Sequence, residues 1–317
     1  LPLPAARAIV ESSRQSARSR ANGVSPTRIP RSFMRFFKYH GLGNDFILLE
    51  PADPLFRPDP ALARALCARG FGVGADGVMC LIPASGAAWD VEMVLLNSDG
   101  TTPEMCGNGI RCAVRHAVEV LGLRPNPLAV LTPSGIRRCA WRLDPDGGFE
   151  VTVAMGRPRF AASEVPLAPE GAFTPGHALT LVASGRAFAG LAVNLGNPHF
   201  VTFGDASEAT AMTFGPLLER HVAFPERANI SFCQVTGQQR LRDTVWERGC
   251  GLTWACGTGA TAAAIAAVRL GLVDCGAPIT VTLRGGDLRI DLRGSVDALE
   301  DAEMTGLAER VFEGRLG

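Results

Sequence analysis

Lysine is almost missing from this 317-residue chain: Lys38 is the only one among thirty-one basic residues. A pyridoxal-phosphate enzyme holds its cofactor as a Schiff base on a lysine. Lys38 falls in the first strand-like segment, far in sequence from the motifs described below, so no such cofactor is expected. An excess of either charge is missing too. Thirty-one Lys and Arg balance thirty-one Asp and Glu, which leaves no global field to attract nucleic acid or an anionic membrane. No apolar run reaches the length of a membrane span. The nine cysteines are odd in number, form no CxxC pair and match no zinc spacing with His. They therefore point to free thiols in a reducing cytoplasm, with no metal and no disulfide framework.

What is present belongs to a folded chain. A hydrophobic content of 47% with 20% charge is that of a soluble protein, and the length suits two domains. Residues 1–33 differ from the rest: they hold six Arg against Glu11 alone and are rich in Ser, Ala and Pro. A disordered tail, a transit-like presequence and sequence upstream of the true start all have this composition. Because Met34 immediately precedes the first convincing strand, residues 1–33 are read as a dispensable flexible extension.

One short stretch occurs twice. Met105-Cys106-Gly107-Asn108-Gly109-Ile110-Arg111-Cys112 is echoed by Ala255-Cys256-Gly257-Thr258-Gly259-Ala260-Thr261-Ala262. Other landmarks repeat in the same order. Leu42-Gly43-Asn44 matches Leu195-Gly196-Asn197, and Asn44 precedes Cys106 by 62 residues where Asn197 precedes Cys256 by 59. Asn97 and Glu247 each stand nine residues before their cysteine, and Leu121-Gly122-Leu123 corresponds to Leu270-Gly271-Leu272. Four landmarks in one order imply a duplicated domain.

The run after Cys256, with five Ala between Ala262 and Ala267, is apolar nearly all round, so it belongs inside the protein. Strand-like segments surround it, and each half is expected to wrap a sheet around a central helix. The glycine-rich loop Gly70–Gly77 is not followed by a helix, so it fails the context test for a dinucleotide fingerprint and is read as backbone packing. A short helix is expected over 59–69, and a hairpin over 279–292 across Gly285-Gly286.

A cysteine at a helix N-terminus faces unpaired backbone N–H groups and the positive end of the helix dipole. Such a site favours thiolate and lowers the pKa into a range of about 3.5–7.5. Gly-x-Gly turns admit a ligand close to the backbone, where the same N–H groups hold an anion. Two such ends brought together would grip one carboxylate and set a sulfur on each face of its α-carbon. One sulfur would remove the α-proton and the other return a proton from the opposite side, which is epimerisation without a cofactor.

At these residues the chain resembles the diaminopimelate epimerase family from Met34 onward. The resemblance rests on His40-Gly41-Leu42-Gly43-Asn44-Asp45-Phe46, Asn97-Ser98-Asp99-Gly100, both cysteine motifs, Asn194-Leu195-Gly196-Asn197-Pro198-His199, Glu226-Arg227-Ala228-Asn229 and Glu247-Arg248-Gly249. It implies an α/β (α+β) fold of two pseudo-symmetric barrel-like domains, each with a central helix, and a site in the cleft between them. The halves would be residues 34–150, with 303–317 returning to them, and residues 151–302. It further implies a cofactor-independent two-base interconversion of LL- and meso-diaminopimelate by a homodimer. Cys106 and Cys256 would be acid and base, supported by His199 and Glu247. Asn44, Asn97, Asn197, Asn229 and Arg248 would bind substrate, with Glu247 and the backbone at Gly107-Asn108 and Gly257-Thr258.

The residue types suit those roles. Arg248 can bind a distal carboxylate through two N–H groups, and Glu247 can meet an ammonium. The chain departs from the family at Leu252, where Glu is common, and at Gly77, where some members carry Gln. A proline or hydroxyproline racemase of similar architecture is the alternative. It typically has His where Asn108 stands and needs no distal recognition by Glu247 and Arg248.

Overall fold

The computed structural model describes residues 34–84, 86, 88–103, 105–168 and 173–316; the N-terminal extension 1–33 lies outside them. The first half runs β1 (Met34–Gly41), β2 (Asn44–Glu50), α1 (Pro60–Cys67), β3 (Gly77–Pro83), β4 (Val91–Asn97), α2 (Gly107–Glu119), β5 (Leu128–Thr132), β6 (Gly135–Leu143) and β7 (Phe149–Ala154). The second half opens with β8 (Leu179–Ala183), β9 (Arg186–Asn194), β10 (Pro198–Phe203), α3 (Glu208–Glu219), β11 (Asn229–Gly237) and β12 (Arg240–Glu247). It continues with β13 (Gly251–Leu252), α4 (Gly257–Arg269), β14 (Ile279–Leu283), β15 (Gly286–Gly294), β16 (Leu299–Leu307) and β17 (Glu309–Leu316).

Strand pairing carries the duplication into three dimensions. In the first half β1 pairs antiparallel with β2, β2 parallel with β3, β3 antiparallel with β4 and β4 parallel with β5, before the antiparallel β5–β6–β7 meander. The second half repeats that sequence as β9, β10, β11, β12, β14, β15 and β16. The C-terminal β17 crosses back to pair with β1, as β8 pairs with β9. The halves join edge to edge where Glu303–Leu307 of β16 pairs with Glu150–Ala154 of β7. The result is one mixed sheet that curls around two helices without closing.

Both central helices are buried, as their composition demands. Every residue from Gly257 to Val268 of α4 is buried, and so is α2 apart from Arg115 and Glu119. Alanine fills α4 because strands approach it from all sides, and small side chains keep those approaches close-packed. One apolar core runs continuously through both halves around these helices. Outside each sheet lies a satellite layer, under α1 in the first half and under α3 in the second.

Helix α1 starts where expected, with Asp59 Oδ1 accepting from Leu62 N at 2.8 Å. Packing accounts for the glycine-rich loop: a Cβ on Gly72 would lie 2.2 Å from the Ala65 carbonyl oxygen. Gly285 is constrained in the same way, since a Cβ there would meet Leu42 O at 1.8 Å. That contact seats the β1–β2 turn of one half on the β14–β15 hairpin of the other.

A buried carboxyl in β12 gives the fold a testable pH dependence. Asp243 accepts from Ser231 Oγ at 3.2 Å and Cys233 Sγ at 3.4 Å. Burial outweighs those bonds and, with the nearby Glu247 charge, raises its pKa to about 7. The unfolded chain releases this proton near the ordinary carboxyl value of 3.8 and the folded chain only near 7. Stability from this group therefore falls between those pH values, by up to about 1.4 kcal/mol per pH unit, and is flat above. Asp243→Asn should remove that part of the slope in thermal unfolding between pH 4 and 8. Equal slopes in variant and wild type would contradict the assignment.

Candidate active site

The duplicated motifs meet at their glycines. Cys106 is the N-cap of α2 and Cys256 the N-cap of α4, both in extended backbone. A Cβ on Gly107 would lie 3.3 Å from Gly257 Cα, and one on Gly257 the same distance from Gly107 Cα. Met304 packs against both positions, 2.7 Å from a Cβ on Gly257. Any side chain at either glycine would push the two helix ends apart. The positive ends of two helix dipoles thus converge, which sets positive potential at the junction.

Pseudo-symmetry explains how the other residues arrive there. Asn44 opens β2 as Asn197 precedes β10, and Asn97 ends β4 as Glu247 ends β12. Gly77 and Asn229 both open the strand parallel to these, in register with Phe46 and His199 respectively. A cavity of about 840 Å³ is lined by Cys106, Asn44, Asn97, Asn197, Asn229, Glu247 and Arg248. Cys256, His199, Asn108, Thr258, Gly107 and Gly257 do not line it; all six are buried just behind its wall.

Hydrogen bonds define what each group presents. Asn108 Nδ2 donates to Ala255 O at 2.7 Å and to Asn44 Oδ1 at 3.2 Å, so α2 is tied to the residue before Cys256. Asn44 Nδ2 donates to Asp76 Oδ2 at 2.7 Å. Asn229 bridges Pro198 O and the Arg248 amide, at 3.0 and 2.9 Å. Asn197 Oδ1 lies 2.9 Å from His199 Nε2. Asn97 bonds Thr101 Oγ1 at 3.0 Å. Glu247 Oε1 accepts from Thr253 Oγ1 at 2.5 Å, and its carboxylate also faces the Cys256 thiol.

The electrostatics correct one expectation. Both thiols lie above the ordinary cysteine pKa, not below it. Cys106 is pushed up to about 11 by burial, even though Gly109 N donates to its sulfur at 3.3 Å. Cys256 is pushed well above the ordinary value by burial and by the Glu247 charge. Desolvation disfavours the thiolate more than the helix termini favour it. Burial likewise raises the Glu247 pKa. It lowers that of His199 to about 3, with help from Arg248, so the imidazole is neutral.

Four contributors carry no role in the sequence analysis. Asp76 orients Asn44 and binds Arg69 at 2.9 Å, Thr253 holds Glu247, and Met304 seats the glycine junction. Arg111 is the fourth, a fully buried guanidinium bonded to Gly107 O, Asn108 Oδ1 and Leu307 O at 2.9–3.1 Å. Arg111 stands within the first cysteine motif, whereas Asp76 and Met304 are connected to the site by proximity in space. Leu252 lines the cavity and packs on the second-half satellite core. Gly77 is close-packed, with Leu96 O at 2.9 Å from an added Cβ.

Comparison with solved structures defines the class of fold. The chain is similar to a hydroxyproline epimerase from Agrobacterium vitis, with a TM-score of 0.64 at 14% identity over 90% of this chain and 93% of that one. It is also similar to a phenazine-biosynthesis protein from Bacillus anthracis, with a TM-score of 0.63 at 14% identity over 90% and 99% of the two chains. The chain shares the two-domain fold of these structures. The particular family follows from sequence. The diaminopimelate epimerase family model matches residues 36–161 and 191–311. Diaminopimelate epimerases from Synechocystis and Cyanothece are 43% and 44% identical over 89% of this chain and 98% and 99% of theirs. The chain belongs to the diaminopimelate epimerase family, and with it to the isomerases. Among the described residues, no helix is long and apolar enough to cross a membrane and no His/Cys/Asp/Glu cluster could hold a metal.

Proposed function

We propose that the chain interconverts LL- and meso-diaminopimelate by a two-base mechanism in which Cys106 and Cys256 alternate as base and acid. The observation that carries this reading is the junction of two helix N-termini at Cys106 and Cys256, where a Cβ on either Gly107 or Gly257 would lie 3.3 Å from the other's Cα, beside a polar cavity. A substrate α-carboxylate held by both helix ends puts its α-carbon between the sulfurs. One sulfur takes the α-proton as thiolate, and the opposite thiol supplies a proton to the carbanion. The charge moving onto the carboxylate is met by the backbone N–H groups. The sulfurs exchange roles, so protons balance over the cycle.

Raised thiol pKa values shape the first step. Cys256 passes its proton to the adjoining Glu247, and the substrate ammonium then stabilises the thiolate. The partly dry site keeps that thiolate strongly basic, which abstraction of an amino-acid α-proton requires. His199 acts as a neutral group that fixes Asn197. Arg248 and the asparagines Asn44, Asn97, Asn197 and Asn229 bind the distal amino-acid end. The units bearing the two bases are 34–150 with the returning C-terminal strand, and 151–302. The reading needs no pyridoxal phosphate and assigns a soluble cytoplasmic homodimer.

The proline-racemase alternative is less favoured because Asn108 is committed on three sides, to Arg111, Ala255 and Asn44. A histidine there would need a different junction. A chiral assay decides between them: LL-diaminopimelate should be converted with α-deuterium uptake from D2O, and L-proline should not. Turnover of proline alone would reverse the assignment.

A further inference from the structure

A second cavity, also about 840 Å³, shares the β9–β10 turn with the candidate active site. Leu195 and Gly196 face this cavity, while Asn197 faces the first. Three guanidinium-bearing residues line it: Arg137 of β6, and Arg157 and Arg159 on the segment leading from β7 into the second half. None of the three has an ion-pair partner among the described residues. Among the described residues Glu164 is the one carboxylate in the wall, and its side chain accepts from Ala161 N at 3.4 Å.

Arg137 is poorly satisfied. Its Nη1 reaches Met155 O only at 3.5 Å, and its Nη2 reaches Ser134 O at 3.5 Å and Ser134 Oγ at 3.2 Å. Its Nε is buried with no acceptor. Burial, with like-charge repulsion from Arg159, pushes the Arg137 pKa down against the opposing pull of Cys139 and Asp301. A buried unsatisfied donor costs about 1–3 kcal/mol, so a fold evolved only for stability gains nothing from this cluster. An oxyanion of charge −2 relieves the repulsion and offers the weakly bonded Nη1 and Nη2 a closer acceptor. Guanidinium forks match phosphate oxygens in geometry as well as charge. The cavity is far larger than one phosphate and falls in the range of about 300–1,000 Å³ typical of small-molecule sites.

We propose that this cavity binds a small phosphate-bearing ligand through Arg137, Arg157 and Arg159, at a site separate from the epimerisation centre. Two sources share that chemistry, free phosphate and a phosphate ester, and the cavity volume favours the ester. The test is calorimetric titration of the full chain with inorganic phosphate and with a nucleoside monophosphate, at ionic strength matched with chloride. Each titration is run with and without saturating diaminopimelate. Binding should persist with diaminopimelate present and weaken at least tenfold in Arg159→Gln and Arg157→Gln, whose exposed side chains the fold does not need. Tighter binding of the nucleotide identifies an ester, and equal binding identifies free phosphate; both support the site. Absence of binding beyond the chloride control overturns the proposal, as does equal affinity in wild type and both variants. Binding that diaminopimelate abolishes and the variants leave unchanged would assign the anion to the helix junction and also overturn it. The titrations without diaminopimelate decide the question even if the catalytic reading fails.

Discussion

Replacing either Cys106 or Cys256 with alanine is expected to lower epimerisation by about 10⁴-fold, the upper end of what one general acid or base contributes. Inversion needs a proton removed from one face and another delivered to the opposite face, so neither sulfur can substitute for its partner. A single variant still keeps one base. Each should therefore exchange the α-hydrogen of one stereoisomer with deuterated solvent while leaving its configuration unchanged, and the two variants should prefer opposite configurations. Stability should separate the variants as well. Cys106 Sγ accepts from Gly109 N as a helix cap, and its loss costs about 1 kcal/mol. Cys256 makes no such cap bond but meets Thr258 Oγ1 at 3.5 Å and the Glu247 carboxylate, so the loss of a helix cap is confined to Cys106→Ala. Rates of inversion, deuterium uptake by NMR and thermal unfolding measure all three effects. Inversion near the wild-type rate in either variant would rule out the two-base mechanism.

Much of this site was legible in the sequence because a duplication repeats its landmarks. Asn44 and Asn197, Asn97 and Glu247, and Cys106 and Cys256 occupy equivalent ends of equivalent strands and helices. Spacing alone brought them into register. The all-round apolar run after Cys256 likewise fixed a central helix, because no exposed helix can carry that pattern. Helix α3 was not legible. Gly215 and Pro216 interrupt its pattern, and both are poor helix formers. It forms because Gly215 lets the helix lie on Trp246, whose ring atoms stand 2.5 Å from where a Cβ would be.

The protonation of the thiols was also beyond sequence reading, and for a different reason. A helix N-terminus is visible as Cys-Gly-x-Gly, but the burial around it depends on strands far away in the chain. Two opposing effects act on each sulfur, and only the fold says which is larger. The same holds for Asp76, which reads as part of a glycine-rich loop until the structure brings it to Asn44, and for Thr253, which bonds Glu247.

Arg111 should prove the residue whose change, after the cysteines, harms the enzyme most. It stands in the second turn of α2, near the end where a helix dipole disfavours a cation. It is fully buried, and no carboxylate pairs with it among the described residues. Burial lowers its pKa to about 10, so it stays charged at neutral pH at a real desolvation cost. That cost is offset by three charge-assisted bonds, to Gly107 O, Asn108 Oδ1 and Leu307 O. Through Asn108 the last links extend to Ala255 O, so one guanidinium fixes both helix ends and adds positive potential beside the junction. Arg111→Met would leave the buried Asn108 Oδ1 without its donor, worth about 1–3 kcal/mol, and strip the side-chain bonds from Gly107 O and Leu307 O, against the relief of an unpaired charge. Unfolding should therefore show a net loss of a few kcal/mol. A misplacement of about 1 Å at the reacting groups costs about 10²-fold in rate, and kcat should fall by that much. Arg111→Lys keeps the charge but cannot span three acceptors with one ammonium. It should recover the positive potential, and with it KM, while kcat stays low. If both variants kept wild-type kcat, the junction would not depend on Arg111, and its buried charge would need another explanation.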